Sequence, residues 1–315
     1  MLGQMLPKKE SEKPIVIEYL YKQYENGEIP DGLVTSDRLV RAIRATEASL
    51  GIANPANFLK DIIRSDHANS IWPKSLTDKG ISARQRYGAK RVFQFIEFTE
   101  GQKEPFPDNF PIDEKTIPHE IQSASLPFAA RQLGRKEETW LTQVVVNLRL
   151  VESQLSIFSP MRTRVRDVTH LQTGMKTAPE IDAVFLATYG ETEELKSPTN
   201  LNVLVTCEAK QINQRILEDQ IREQVAKALE VTDDIQNPRI NAVKPMAIKV
   251  VDFMFEAKKE KAVYIVEFSH IDRNEFDEKW AQKSPSDERL YSMPLNDVSK
   301  TVYRIMPPIA GLNAS

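Results

Sequence analysis

Two apolar runs near the middle of the chain limit its fold more than any other feature. Ile181 to Thr188 (IDAVFLAT) and Leu201 to Lys210 (LNVLVTCEAK) have the length and β-branched content of buried strands, and the polar stretch ETEELKSPTN between them reads as a loop. Charged residues sit at their ends. Asp182 opens the first run, just after Pro179-Glu180-Ile181, and Cys207-Glu208-Ala209-Lys210 closes the second. Successive strand side chains point to opposite faces, so Glu208 and Lys210 share one face while Cys207 and Ala209 share the other. If the two runs pair, Asp182 comes close to Glu208. Two carboxylates meeting at one point suit a hard divalent cation such as Mg²⁺, which prefers oxygen ligands. A lysine beside them can hold a water or steady a phosphate charge.

Asp182, Glu208 and Lys210, with Pro179 three residues ahead of the aspartate and Glu208 26 positions after it, resemble the motif of the PD-(D/E)XK nuclease superfamily. The resemblance covers Leu141 to Val231. It implies an α/β fold, with a restriction-endonuclease-like αβββαβ core built as a mixed central sheet flanked by helices. It also implies Mg²⁺-dependent hydrolysis of double-stranded DNA to 5′-phosphate ends. On that reading Asp182 and Glu208 hold the metal and Lys210 orients or helps to deprotonate the attacking water. A helix ahead of the core often gives such a site a further glutamate. Leu141, Val145, Leu148, Glu152 and Leu155 fall on one helical stripe, which makes Glu152 either that metal ligand or an ordinary helix-end glutamate.

The flanking segments extend the reading. Arg162, Arg164, Arg166 and Lys176 lie just upstream of Asp182 on a run (Val165, Val168, Leu171) that reads as the first core strand. Arg164 and its neighbours would face DNA there, or protect a charged edge strand. Asn213 to Val231 reads as a helix burying Leu217, Ile221, Val225 and Ala228, with Gln220, Gln224 and Lys227 on another face. Gln220 is a DNA-contact candidate, with a plain solvated face as the alternative. Lys249 to Phe253, Ala262 to Phe268 and Thr301 to Ile305 read as further strands; the remainder after Ile271 is polar and irregular.

The first hundred residues are different in kind. Pro14 to Gly27, Asp37 to Leu50 (capped by Ser36) and a helix opening at Asn54-Pro55 bury apolar stripes, the last through Phe58, Leu59, Ile62 and Ile63. A hairpin follows the break at Trp72-Pro73, with Arg84 to Tyr87 and Arg91 to Phe98 as its strands. Three short helices and a basic hairpin look like a winged helix-turn-helix. From Lys60 to Arg91, eight basic residues (Lys60, Arg64, Lys74, Lys79, Arg84, Arg86, Lys90, Arg91) stand against three acids (Asp61, Asp66, Asp78). The net charge of the whole chain is −3, so a DNA-binding protein of this composition needs such a local patch. A solvated face is the alternative. The expected organisation is a winged-helix domain over 1–100, a proline-rich linker or arm over 101–134, and a nuclease domain over 135–315.

The function this predicts is that of a type II restriction endonuclease acting on duplex DNA, with a homodimer expected. The alternatives are a PD-(D/E)XK nuclease of repair or defence, and a winged-helix regulator without catalysis. No apolar run reaches membrane-spanning length, and the amino terminus has no signal-peptide core. One cysteine excludes an intrachain disulfide framework and a Cys-rich zinc site, which fits a cytoplasmic protein. G-x-S-x-G, Walker and Rossmann fingerprints are absent, and the four histidines (His67, His119, His170, His270) are scattered without zinc spacing.

Overall fold

The computed structural model describes residues 11–65, 67–190, 201–235, 239–284 and 287–312. The expected loop over 191–200 and the acid Asp66 lie outside these residues. The chain forms two compact units, 1–107 and 108–315.

In the first unit, α1 (Lys13–Glu25) buries Val16, Ile17 and Leu20. It leads through β1 (Leu33–Thr35) to α2 (Ser36–Ala45), which buries Leu39, Ala42 and Ile43. Thr35, not Ser36, caps α2, accepting the Arg38 N–H, and the helix ends five residues before Leu50. After a 3₁₀ turn at Pro55–Asn57 comes α3 (Phe58–Ile63), which buries the four apolar residues expected of it. Two single-turn helices follow, α4 (Ala68–Ile71) and α5 (Lys74–Thr77), then β2 (Ile81–Gln85) and β3 (Arg91–Glu97). β3 lies centrally in an antiparallel sheet ordered β1-β3-β2. β2 starts earlier than Arg84 because Ile81 and Ala83 are buried core residues. Trp72 donates its indole N–H to the Ile81 carbonyl at 2.9 Å and meets Phe106 edge-on at 5.3 Å.

The second unit is α/β, a mixed sheet flanked by helices. Its elements run β4 (Ile117–Gln122), α6 (Phe128–Gln132), α7 (Glu138–Asn147), α8 (Leu150–Ser153), β5 (Val165–Met175), β6 (Ile181–Tyr189) and β7 (Leu201–Lys210). Then come α9 (Glu218–Val231), β8 (Ala242–Phe255), β9 (Lys258–Phe268), β10 (Ile271–Asp272), α10 (Arg273–Lys279) and β11 (Asp297–Met306). The sheet order is β4-β11-β9-β8-β7-β6-β5, with β10 paired to β8. β5, β6 and β7 form an antiparallel meander, and β7 and β8 are parallel, joined by the crossover through α9. Alternate side chains divide between two cores. Ala183, Phe185, Val205 and Cys207 pack with α7 and α8, while Val184 and Leu204 pack with Val225, Ala228 and Leu229 of α9.

Three expectations need correction. The proline-rich stretch is not an arm throughout, because 108–134 belong to the second unit and β4 pairs in parallel with β11. β4 is an edge strand, where Pro118 is tolerated because one side of the backbone has no neighbour to bond. β8 begins at Ala242 rather than Lys249, since the two apparent strand breakers, Lys244 and Pro245, both lie within it. The Lys244 ammonium is buried 2.6 Å from the Glu267 carboxylate, to which Ser159 and Ser299 also donate. The helix stripe ending at Leu155 is broken at Arg149, whose φ of 52° separates α7 from α8. Among the described residues no helix is long and apolar enough to cross a membrane.

Candidate active site

The register of β6 on β7 sets Ala183 opposite Cys207, which places Asp182 opposite Glu208 on one face. That face looks towards α9. The Asp182 carboxylate accepts the Ala209 N–H at 2.8 Å. The Lys210 ammonium lies 2.5 Å from Glu208 Oε1 and 4.0 Å from Asp182 Oδ2, and it donates to the Ala209 carbonyl at 3.0 Å. Asp182, Glu208 and Lys210 are therefore brought together, as the motif predicts. Glu208 is 1% exposed and Lys210 4%.

α9 and α7 complete the surroundings. Gln220 and Gln224, one helical turn apart, both aim their amides at the Glu208 carboxylate, and Gln224 also donates to the Glu180 carbonyl at 2.9 Å. Glu138, the first residue of α7, brings a carboxylate to 3.5 Å from the Lys210 ammonium. The Gln211 side chain fixes that helix end by donating to the Glu137 carbonyl at 2.8 Å. Burial, and then the neighbouring Glu208 charge, pushes Asp182 up to about 7 although Lys210 pulls it down. Burial works to lower Lys210, but Glu208, Asp182 and Glu138 outweigh it and hold the ammonium above the usual lysine range. Cys207 points into the opposite core, where burial raises its thiol and keeps it protonated.

Carboxylate and carbonyl oxygens thus surround a point that carries positive charge. This all-oxygen donor set has the chemistry a hard divalent cation requires. Among the described residues no group of three or more His, Cys, Asp or Glu is placed to hold a metal ion. A cation at Asp182 and Glu208 would therefore draw on the Ala209 carbonyl, water and substrate oxygens as well, the coordination Mg²⁺ commonly adopts.

Several predicted site residues lie elsewhere. Among the described residues Glu152 forms no hydrogen bond or ion pair with this cluster. α8 packs into the core on the Cys207 side, and the half-buried Glu152 carboxyl, raised by that burial, leaves Oε2 without a hydrogen bond among the described residues. The glutamate that the preceding helix delivers is Glu138. Its sequence context hid it, because an acid in the first turn of a helix is already favoured by the helix dipole. Arg164 is carried away from Asp182 by strand pairing. Met175 lies opposite Ile181 but Val165 opposite Tyr189, so Arg164 sits roughly 30 Å along β5, with its Nε donating to the Gly190 carbonyl. Gln220 faces Glu208, not the outer surface.

In the first unit the basic window also divides. Arg86 is 3% exposed and cannot reach a phosphate. Lys60 is half-buried over the Tyr87 ring, and Arg91 donates to the Gly88 carbonyl within the hairpin turn. Lys90 lies 3.7 Å from Asp37, Lys74 bonds Asp78 and Lys79 bonds Glu25. Arg64 is exposed just beyond α3, and Arg84 is half-buried in β2. A charge tally along the chain overstates the charge this surface presents.

No family model, curated protein or solved structure matches the chain.

Proposed function

We propose that the second unit hydrolyses phosphodiester bonds of duplex DNA with Mg²⁺, in the manner of PD-(D/E)XK nucleases, and that the chain acts as a type II restriction endonuclease. The convergence of Asp182, Glu208 and Lys210 at the paired ends of β6 and β7 carries this reading. The order α7–α8–β5–β6–β7–α9–β8, with α8 a single turn, an antiparallel meander and one parallel pair, supports it as the helix–three strands–helix–strand series of such a core. The first unit's order of α1–β1–α2–α3–α4–α5–β2–β3, with α4 and α5 single turns and β3 central, supports a winged helix-turn-helix as the reading module. The partners are then duplex DNA and a second copy of the chain, and the compartment the cytoplasm.

Asp182, Glu208 and the Ala209 carbonyl would hold Mg²⁺, with Glu138 at the rim. When bound, the metal supplies charge stabilisation to the phosphate and its leaving oxygen. The chain's own groups do the rest. Gln220 and Gln224 lock the Glu208 carboxylate in orientation, and the Ala209 N–H locks that of Asp182. Lys210, tethered between the acids, directs a donor at the attacking water and balances the negative charge of the approaching phosphate.

The test is incubation of plasmid and phage DNA with the full chain and Mg²⁺. Discrete bands bearing ligatable 5′-phosphate ends are expected, and Asp182→Asn and Lys210→Ala should give none. A smear would retain the chemistry and remove the restriction specificity. Intact DNA with both Mg²⁺ and Mn²⁺ would remove the nuclease reading.

A further inference from the structure

The basic surface of the first unit lies on a helix that the charge-rich window omits. α2 carries Arg38, Arg41 and Arg44 at i, i+3 and i+6. Each residue advances about 100° around a helix, so the three fall within an arc of about 120°, away from the buried Leu39, Ala42 and Ile43. Arg41 and Arg44 are exposed and Arg38 is half-buried. None of the three makes an ion pair among the described residues; Arg41 only donates to the Asp37 carbonyl at 3.3 Å. Lys74 and Lys79, by contrast, have carboxylate partners, and Arg86 is buried.

The hairpin turn abuts the amino end of this row. Ser36 donates to the Lys90 carbonyl through its N–H at 2.8 Å and its hydroxyl at 3.1 Å, which ties the β2–β3 turn to the start of α2. Lys90 thereby lies at the amino end of the arginine stripe, 3.7 Å from Asp37, the single acid of α2. At 1.5 Å rise per residue the stripe is about 9 Å long, while B-DNA places a phosphate every 3.4 Å of axis on each strand. Arginine forks suit phosphate geometry. The alternative helix, α3, is only six residues long and turns four of them inward.

We infer that α2 is the helix that grips duplex DNA, with Arg38, Arg41 and Arg44 bound to the phosphodiester backbone. This rests on the reading of the chain as a protein that acts on DNA, and it assigns the contact to α2 in place of the 60–91 window.

The experiment is fluorescence anisotropy of the full chain on a labelled duplex, with Ca²⁺ in place of Mg²⁺, across a salt series. Glutamine keeps helix propensity and length, so the variant is Arg38→Gln/Arg41→Gln/Arg44→Gln, with Lys74→Gln/Lys79→Gln as the control. The log–log salt slope should flatten by about two to three units in the triple variant, at about 0.9 per lost phosphate contact, and stay near wild type in the control. Should the triple variant lose its circular dichroism, Arg41→Gln alone should flatten the slope by about one unit. A folded triple variant, or Arg41→Gln, with the wild-type slope overturns the inference, and so does a wild-type chain that binds no duplex at low salt. The nuclease reading is judged separately. A flattened slope without Mg²⁺-dependent cleavage keeps the α2 contact and discards the nuclease, and cleavage with an unchanged slope does the reverse.

Discussion

Replacing Lys210 with methionine removes the ammonium that sits among Glu208, Asp182 and Glu138 while keeping an apolar stem of similar length. The Lys210 and Glu208 side chains are 5% and 2% exposed, so water cannot take over the lost contact. Breaking a buried pair by deleting one partner costs about 3–5 kcal/mol. Glu208 retains the Gln220 and Gln224 amides, which puts the expected loss near the lower figure, about 3 kcal/mol. For a unit of this size each kcal/mol moves Tm by about 2–4 °C, so Tm should fall by roughly 6–12 °C at pH 8. The sign of the pH dependence follows from Asp182. Its folded pKa, already pushed from 3.8 to about 7, climbs further once the lysine no longer lowers it. An acid with a raised folded pKa binds more protons folded than unfolded between the two values, so stability falls as pH rises through that window. Below pH 7 Asp182 is protonated in both forms, so the deficit there is that of the stranded Glu208 alone; it should widen as pH rises past 7, where wild-type Asp182 ionises and the variant's does not, and at pH 8 Mg²⁺ or Ca²⁺ should restore most of it by taking the place of the ammonium. Differential scanning fluorimetry from pH 5 to 8, with and without divalent cation, measures both effects. A deficit independent of pH, or one untouched by either cation at pH 8, would refute the idea that these acids form a cation site.

Glu138→Gln should slow cleavage about tenfold or more, the equivalent of one lost charged contact, whereas Glu152→Gln should stay within about twofold; equal effects in a plasmid assay would erase the distinction between them. Gln224→Leu leaves a Glu208 oxygen and the Glu180 carbonyl without a donor, so urea unfolding should show a loss of about 1–3 kcal/mol alongside reduced cleavage. Lys244→Met strands the buried Glu267 charge and should cost about 3–5 kcal/mol, most of which Lys244→Met/Glu267→Leu should recover; a double variant as unstable as the single would mean that the pair is not the source.

The parts of the fold that were legible in the sequence are those where burial alone chooses the residues. β7 runs from Leu201 to Lys210 as expected, and β6 extends the expected strand by one residue, to Tyr189. Strands buried on both faces read as continuous apolar runs, and these two lie inside the sheet. Legibility failed where a partner distant in sequence changes what a residue type means. Lys244 looks like a strand end until Glu267 is placed beside it, and β4 looks like an arm until β11 supplies its hydrogen bonds. In both cases the missing information was a pairing, which no local window contains.

The candidate site follows the same division. Asp182, Glu208 and Lys210 could be grouped from the two-residue period of a strand and one assumed pairing, and the register fulfils that assumption. Gln220, Gln224 and Glu138 could not, because each depends on which side of a helix meets the sheet and which end of it meets β7. The i, i+4 spacing of the glutamines already placed them on one face, but it cannot distinguish a face turned to solvent from one turned to a buried carboxylate. The discriminating fact is the charge beneath that face. A glutamate 1% exposed beside one ammonium still needs further donors, and uncharged amides provide them without introducing another buried charge. Once Glu208 is placed under α9, polar residues at positions 220 and 224 are what the carboxylate requires. The same reasoning separates the arginines of α2 from the lysines of the 60–91 window, since phosphate responds to charges left uncompensated in space, whatever their order along the chain.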